Sequence, residues 1–187
     1  TLVAAPTGVS DEDLMLRYRS GSIAAFETLY VRHKGGVYRY LLRGCAGDAH
    51  SAAELFQDVW ANLVRAAPRY EPRARFSTWL YTLAHNRLID HHRVPRLPTD
   101  TLDPELAIAA PEHENPEAQA QTAIQQRRLI AALQKLPLEQ REAFLLKEEG
   151  GLSLEEIAAS TGVGRETVKS RLRYALAKLR EVLADVV

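Results

Sequence analysis

The sequence predicts an all-α protein made of two small helical domains joined by an acidic, proline-rich linker. Two observations support the helices. Apolar residues recur at spacings of three and four in several stretches, which is the period of an amphipathic helix. No stretch shows the sustained alternation of a β-strand. The linker follows from a third observation: prolines cluster between the helical stretches, and proline does not fit inside a helix.

Charge and proline content divide the 187 residues. Residues 11–95 have a net charge of +3, residues 96–122 of −5 and residues 123–187 of +2. Five prolines lie within or at the edge of the acidic stretch, so we predict an extended linker over residues 95–122. The two domains then span residues 11–94 and 123–187, and residues 1–10 form a flexible tail.

Three apolar stripes predict the helices of the first domain. The first stripe is broken near Gly21. The paired glycines Gly35 and Gly36 fall inside a long helical stretch and cost about 1 kcal/mol each relative to alanine, so we expect a kink or a break there. Prolines at positions 68 and 72 indicate a loop, and we expect Ser77 or Thr78 to cap the helix that follows. The other two stripes are Ala52, Leu55, Phe56, Val59, Trp60 and Leu63, and Phe76, Trp79, Leu80, Leu83 and Leu88.

The second domain contains the pattern of a helix-turn-helix. Ser153 and Glu156 have the spacing of a capping box, which predicts a helix beginning there. Gly162 permits a tight turn with a positive φ. Ala158, four residues earlier, is small enough for a close helix crossing. A second helix begins near Arg165, and in a helix-turn-helix that helix enters the major groove of DNA.

The predicted second helix is strongly basic. Between residues 165 and 180 it has six basic residues and one acidic residue, Glu166, which suits the neutralisation of phosphates. Thr167, Ser170 and Tyr174 add groups that can bond to base edges or phosphates. A solvated basic face is the alternative, but its combination with the cap and the turn favours DNA binding. The basic residues are Arg165, Lys169, Arg171, Arg173, Lys178 and Arg180.

Arginines and aromatic residues alternate at the start of the last helix of the first domain. Aromatic rings suit unstacked bases and arginines suit phosphates, so this segment favours binding of single-stranded DNA. The alternative is that Phe76 and Trp79 are core residues of an amphipathic helix. The segment includes Arg69, Arg73, Arg75, Phe76, Trp79, Tyr81, Arg87 and Arg93.

Composition excludes several other classes of protein. The net charge is zero, which excludes a uniformly basic DNA-binding protein. No apolar run reaches the roughly 20 residues that a membrane helix needs, and residues 1–9 do not form a signal peptide. A single cysteine, Cys45, cannot form an internal disulfide, so we expect a cytoplasmic protein. No nucleophile motif, phosphate loop or metal-ligand spacing stands out, so we expect neither an enzyme nor a cofactor or metal.

The chain resembles the extracytoplasmic-function (group four) sigma factors of bacterial RNA polymerase, in the sigma-70 family. This resemblance covers most of residues 11–182. It implies a sigma factor that binds core RNA polymerase and directs promoter-specific initiation. The residues that carry it are 54–60 (Glu-Leu-Phe-Gln-Asp-Val-Trp), 76–86 (Phe-Ser-Thr-Trp-Leu-Tyr-Thr-Leu-Ala-His-Asn), 133–137, 141–144 and 151–173.

The resemblance also implies a role for each domain. The first domain matches sigma region 2, in which the helix with Glu54, Gln57 and Asp58 docks on the β′ clamp helices. The second matches region 4, which reads the minus-35 element and contacts the β flap. The implied contacts with the melted minus-10 strand are Arg73, Arg75, Phe76, Trp79, Asn86 and Arg87. The implied contacts with minus-35 are Arg165, Thr167, Lys169, Ser170, Arg171, Arg173 and Tyr174.

The sequence departs from the family before the docking helix residues. Members of the family have a run of carboxylates where this chain has Ser51 followed by two alanines. Either the other contacts carry the docking, or phosphorylation of Ser51 restores the negative charge. An anti-sigma factor is a further candidate partner. The alternative function is a helix-turn-helix transcription regulator with a helical partner or effector domain and no polymerase docking.

Overall fold

The computed structural model describes residues 8–93 and 116–184, and confirms the all-α fold: this part of the chain is helical, with no strand. A short 3₁₀ turn, Ala67–Arg69, follows the third helix. The predicted tail at residues 1–7 and the linker at residues 95–115 lie outside the described residues. The helices are α1 (Asp11–Arg19), α2 (Ile23–Gly44), α3 (Ala49–Ala66), α4 (Phe76–Arg93), α5 (Pro116–Gln134), α6 (Leu138–Glu148), α7 (Leu154–Thr161) and α8 (Arg165–Ala184).

The first four helices pack into one core, as the apolar stripes predict. Ser10, Ser22 and Asp48 cap α1, α2 and α3, each with a side-chain oxygen that accepts a backbone N–H. The break near Gly21 is confirmed, since α1 ends at Arg19 and this glycine has a φ of +105°. The inward face of α3 is buried over Ala52, Leu55, Val59, Trp60 and Leu63.

Of the kink or break expected at Gly35 and Gly36, the break is wrong, because α2 is one continuous helix from Ile23 to Gly44. Gly36 makes room for the side chain of Tyr81 in α4, whose hydroxyl contacts the second domain. A Cβ added at Gly36 would lie 2.5 Å from the hydroxyl of Tyr81 and 3.6 Å from the carbonyl oxygen of Glu149. Packing therefore requires glycine at position 36, although glycine lowers the helix propensity there.

The expected cap of α4 is also wrong. This helix begins at Phe76, so neither Ser77 nor Thr78 precedes it. The backbone N–H of Phe76 instead donates to Oε1 of Glu12 in α1, at 2.6 Å. A carboxylate at a helix N-terminus is favoured by the helix dipole as well as by the hydrogen bond. A residue 64 positions away along the chain therefore replaces the local cap.

The second domain confirms the helix-turn-helix. Ser153 and Glu156 form the capping box at the start of α7, and Gly162 ends that helix with a φ of +70°. Ile157 and Val168 are buried where α7 and α8 cross. Arg141 of α6 donates to the carbonyl oxygens of Leu133 and Leu136 at 3.0 and 3.2 Å, which fixes the turn between α5 and α6.

The predicted linker ends earlier than expected. Because α5 begins at Pro116, residues 116–122 are helical and not extended. Proline is tolerated in the first turn of a helix, where its missing N–H would have no partner within the helix. The six residues after it include two alanines, two glutamines and one glutamate, which are good helix formers.

The two domains pack against each other through α2 and α4 on one side and α6 and α7 on the other. The hydroxyl of Tyr81 donates to the carbonyl oxygen of Glu149 at 2.7 Å. The carboxylate of Glu149 accepts from Arg39 at 3.0 Å and also pairs with Arg43. Polar and charged groups therefore hold this interface together beside its apolar contacts.

Candidate nucleic-acid and polymerase interfaces

The N-terminal half of α8 presents an exposed basic surface. Arg165, Lys169 and Arg173 are all exposed there. Arg165 donates to Glu155 at 2.5 Å and to Glu166 at 3.0 Å, but exposed pairs of this kind contribute only about 0–1 kcal/mol. These cations can therefore exchange their carboxylate partners for phosphates at little cost.

Polar side chains lie beside these cations. Thr167 is exposed, and Tyr174 is 55% exposed with the guanidinium of Arg173 4.9 Å from its ring centroid. Ser170 and Arg171 are half-buried. The structure thus places all seven residues of the predicted minus-35 set on one helix, with five of them exposed.

Arg171 lies at the inner edge of that surface and acts on a buried carboxyl of α6. Glu142 is 5% exposed, and its Oε1 has no hydrogen-bond partner within the described chain. Burial above all, together with the charge of Glu139, raises the pKa of Glu142 to about 7, against the opposing charges of Arg171 and Arg141. The charge of Arg171 therefore also acts on a buried group of the domain, which its place in a basic stripe did not indicate.

The aromatic residues of α4 form a cluster with Tyr70. The ring of Trp79 lies 4.8 Å from that of Tyr70 and 5.9 Å from that of Phe76, centroid to centroid. Trp79 is half-buried, whereas Phe76 is completely buried. In this structure the ring of Phe76 supports Trp79 from within the core, which argues against its contact with the DNA strand, and that contact stays an untested prediction.

The remaining residues of the predicted minus-10 set lie on the surface. Arg73 and Arg75 are exposed in the loop, and Asn86 is exposed near the middle of α4. Arg73 pairs with its neighbour Glu71 at 2.6 Å. Arg87 pairs with Asp90 at 2.9 Å. Both contacts are local and exposed, so neither blocks the approach of a nucleic acid.

Arg75 differs from its neighbours, because its partner belongs to the other domain. Its Nε and Nη2 atoms donate to the two carboxylate oxygens of Glu156 at 2.7 and 2.6 Å. The hydroxyl of Thr78 donates to the same carboxylate at 2.6 Å. These bonds, that to Arg75 above all, hold the pKa of Glu156 well below its usual range.

The predicted docking face of α3 is open. Glu54, Gln57 and Asp58 are exposed on the side of the helix opposite its buried stripe. Glu54 lies 3.5 Å from the ring of His50. The face therefore presents two carboxylates and one amide, which suits a basic or polar partner surface.

Ser51 lies on the buried side of the same helix, not on this face. Its side chain is 1% exposed and its hydroxyl donates to Oδ2 of Asp48, the N-cap of α3. A kinase reaches such a hydroxyl only if the first turn of α3 opens, and a phosphate there would face the cap carboxylate. This arrangement argues against phosphorylation of Ser51, which stays an untested prediction.

Two acidic residues with a central place in the structure were missed by sequence reasoning. Glu156 carried the signal of a helix cap, and that role is present, but no local pattern indicated its second partner in the other domain. Glu149 carried no signal at all. The paired glycines were the one visible sign of this contact, and they were interpreted as a break.

Other chemistry is little in evidence in the described ranges. No group of three or more histidine, cysteine, aspartate or glutamate side chains there is arranged to hold a metal ion. Cys45 is buried at 5% exposure. Within residues 8–93 and 116–184, no helix is long and apolar enough to cross a membrane.

Solved structures support the fold. CnrH, solved in complex with the cytosolic domain of CnrY, aligns over 94% of this chain and 97% of its own with a TM-score of 0.71 at 23% identity. The sigma factor RpoE from Bartonella quintana, solved with the anti-sigma factor NepR, aligns over 87% of this chain and 98% of its own with a TM-score of 0.65 at 20% identity. At these identities the likeness bears on the fold alone.

Sequence comparison gives the family. The protein family "Sigma-70 region 2" matches residues 29–96, and the family "Sigma-70, region 4" matches residues 126–179. The RNA polymerase sigma factor CarQ of Myxococcus xanthus is 35% identical over 92% of this chain and 97% of its own length. The extracytoplasmic-function sigma factor RpoE of Cereibacter sphaeroides is 36% identical over 84% of this chain and 86% of its own. With two sigma domains and relatives matched along nearly their whole length, the chain belongs to the extracytoplasmic-function sigma factors of the sigma-70 family and is not an enzyme.

Proposed function

We propose that this sigma factor uses three separate surfaces: α3 for core RNA polymerase, α8 for the minus-35 duplex, and the 70–75 loop with α4 for the melted minus-10 strand. The observation that carries the proposal is the pair of arginine-rich surfaces on the two domains, of which only one belongs to a helix-turn-helix. A protein that binds only duplex DNA would not need a second basic surface with aromatic rings.

The minus-35 assignment rests on α8. Its exposed cations suit phosphates, and Thr167 with Tyr174 offers hydroxyls to base edges or phosphates. Ser170 and Arg171 are half-buried, so they contact DNA from the inner edge of the helix. We expect Lys169 and Arg173 to contribute most of the electrostatic attraction.

The minus-10 assignment rests on the open residues around Trp79. Arg73, Arg75 and Arg87 supply charge, and Asn86 supplies an amide that can read a base edge. Trp79 is half-buried and supported by Tyr70 and Phe76, which fixes its ring at the surface. We therefore assign Trp79, without Phe76, as the stacking residue.

The polymerase assignment rests on the exposed face of α3. Glu54, Gln57 and Asp58 are the proposed contacts with the β′ clamp helices, and region 4 contacts the β flap. The apolar residues around them replace the missing carboxylate run. The chain then works in the cytoplasm with polymerase and promoter DNA. The Bartonella quintana relative was solved with an anti-sigma factor, and we propose such a partner here also.

Binding to core RNA polymerase and promoter-directed transcription test this function. We expect purified chain to direct specific initiation from a promoter-library template. Replacing Gln57 and Asp58 with alanine should lower affinity for core polymerase at least tenfold, by analogy with buried polar contacts at interfaces. The matched control is Glu27→Ala, an exposed carboxylate of α2.

The alternative, a helix-turn-helix regulator without polymerase docking, predicts a different result. Such a chain binds duplex DNA but not core polymerase, and the Gln57 and Asp58 substitutions change nothing. The sigma family membership and the exposed docking face both favour the first function. Failure of wild-type chain to bind core polymerase would overturn it.

A further inference from the structure

The contact between Arg75 and Glu156 has the geometry of an occupied binding site. The guanidinium of Arg75 meets the carboxylate side by side through two hydrogen bonds, and its Nη2 also donates to the carbonyl oxygen of Gly151 at 3.1 Å. Thr78 adds a third donor to the carboxylate from the first turn of α4. Arginine binds phosphates through the same paired geometry as carboxylates.

The carboxylate of Glu156 is saturated with hydrogen bonds. Its Oε2 atom also accepts the backbone N–H of Ser153 at 2.7 Å, so the carboxylate accepts four hydrogen bonds in all. Its side chain is only 20% exposed. A strand phosphate that takes the Nε–Nη2 edge of Arg75 must therefore displace the carboxylate.

A second carboxylate holds the same interface closed. Glu149 pairs with Arg39 and Arg43 of α2, and its carbonyl oxygen accepts the hydroxyl of Tyr81. The hydroxyls of Thr82 and Ser160 add a bond at 2.7 Å. The domain sequences carry net charges of +3 over residues 11–95 and +2 over residues 123–187, so these local carboxylates oppose an overall repulsion.

We propose that Glu156 is a built-in competitor of promoter DNA: in the free chain it occupies Thr78 and the Nε–Nη2 edge of Arg75, and it closes this part of the strand-binding surface of the first domain until the two domains separate. The minus-35 surface of α8 is left open in the same state. The inference rests on the proposed function in one respect, namely that Arg75 meets the opened strand.

Binding of a fluorescein-labelled single-stranded oligothymidine to the full chain, followed by fluorescence anisotropy, tests the proposal. The variant is Glu156→Gln, which removes the charge but keeps the capping box, since glutamine also serves at that position. We expect about a tenfold gain in affinity, because apparent affinity rises with the fraction of open chain. The slope of log affinity against log salt should steepen by about 0.7, as for one further phosphate contact on a single strand.

Two controls separate this effect from a general change of charge. Glu148→Gln removes a charge from an exposed glutamate at the end of α6, and we expect at most a small gain. In an Arg75→Gln background, Glu156→Gln should give no gain beyond that of Glu148→Gln, since the donor that it would uncover is absent. Tyr81→Phe loosens the interface without any change of charge, and should raise affinity in the same direction but less.

The outcomes are distinct. Equal gains for Glu156→Gln and Glu148→Gln, or a gain that persists without Arg75, would overturn the inference. If wild-type chain still directs initiation with core polymerase in that case, the proposed function stands without it. If Arg75→Gln leaves both oligothymidine binding and strand opening by the holoenzyme unchanged, the assignment of Arg75 to the strand fails first.

Discussion

Two basic surfaces of this sigma factor have similar chemistry and opposite accessibility. On α8 the exposed cations Arg165 and Lys169 pair with exposed neighbours within the second domain, Glu155 and Glu166. In the loop before α4, Arg75 pairs with Glu156 of the other domain, in a contact that also engages Thr78. The first surface is open to DNA in this structure, whereas in the second the chain itself engages Arg75 and Thr78 and leaves Arg73 and Asn86 exposed.

The difference follows from where each carboxylate lies. A pair between neighbours on one exposed helix is weak, because water and salt compete for both charges. Glu156 is fixed by the α7 cap and by three donors of the first domain, so its contact breaks only when the domains move apart. Accessibility of a basic surface is thus set by the partner of each arginine, and composition does not reveal it.

The largest effect is expected on the open surface. Replacing Lys169 and Arg173 with alanine should weaken binding of holoenzyme to minus-35 duplex by about 2–4 kcal/mol and lower the salt slope by about 2. The measurement is a salt titration of binding to a promoter that the holoenzyme selects. The matched control replaces Lys178 and Arg180 on the same helix. If both double variants lose the same binding free energy, the N-terminal half of α8 is not the specific DNA-binding surface.

The next effect concerns the support beneath that surface. The pKa of Glu142 is about 7 in the folded chain, whereas its ordinary value is 4.5. Between pH 4.5 and about pH 7 the folded chain therefore keeps a proton on Glu142 that the unfolded chain loses. Stability should therefore fall as pH rises from about 4.5 to about 7, by at most about 3 kcal/mol. Urea unfolding at pH 5 and pH 8 measures it.

Glu142→Gln should remove this part of the pH dependence. The amide carries no charge at either pH, so the variant loses less stability between pH 5 and pH 8 than wild type does. Glu148→Gln, an exposed substitution on the same helix, should keep the wild-type slope. If the free energy of unfolding changes equally with pH in all three proteins, Glu142 is not the group responsible.

A smaller effect is expected at the closed surface. Gly36→Ala places a methyl group 2.5 Å from the Tyr81 hydroxyl, and should cost about 1–3 kcal/mol of stability by overpacking. Gly35→Ala is the matched control, since its Cβ meets only the flexible end of Arg39 at 3.3 Å. That neighbouring substitution should stabilise α2 by up to about 1 kcal/mol. Equal effects in thermal unfolding would contradict the role of Gly36.

The smallest effect is expected at α3. Ser51→Asp should not increase affinity for core polymerase, because position 51 is buried and faces the carboxylate of Asp48. The substitution should instead lower thermal stability. Ser77→Asp, at a half-buried serine of α4, controls for the added charge. Tighter binding by Ser51→Asp alone would restore phosphorylation as a mechanism.

Much of the fold could be predicted because its signals are local. The period of apolar residues in α3, the capping box of α7 and the turn at Gly162 each lie within a few residues of one another. The basic stripe of α8 was likewise found from the sequence. These features depend on neighbours along the chain, which a sequence displays directly.

The failures share a different cause, which is contact between distant parts of the chain. The paired glycines were interpreted as a kink or a break because the residues that Gly36 approaches lie elsewhere in the chain: Tyr81 in α4 and Glu149 just after α6. Glu12 replaced the expected cap of α4 from 64 positions away. Phe76 belongs to the core because Tyr70 and Trp79 enclose it, although its place in an arginine-rich segment favoured a surface role.

The distance between the two domains tests the central claim most directly. Spin labels at Ala24→Cys and Ala177→Cys, both exposed positions, in a Cys45→Ala background report that distance by pulsed electron resonance. We predict one narrow distance in the free chain, a broad distribution when Glu149 and Glu156 are both replaced by glutamine, and a longer distance once core polymerase is bound. If the distance distribution of the free wild-type chain is as broad as that of the double variant, the claim that these carboxylates hold the strand-binding surface closed is contradicted.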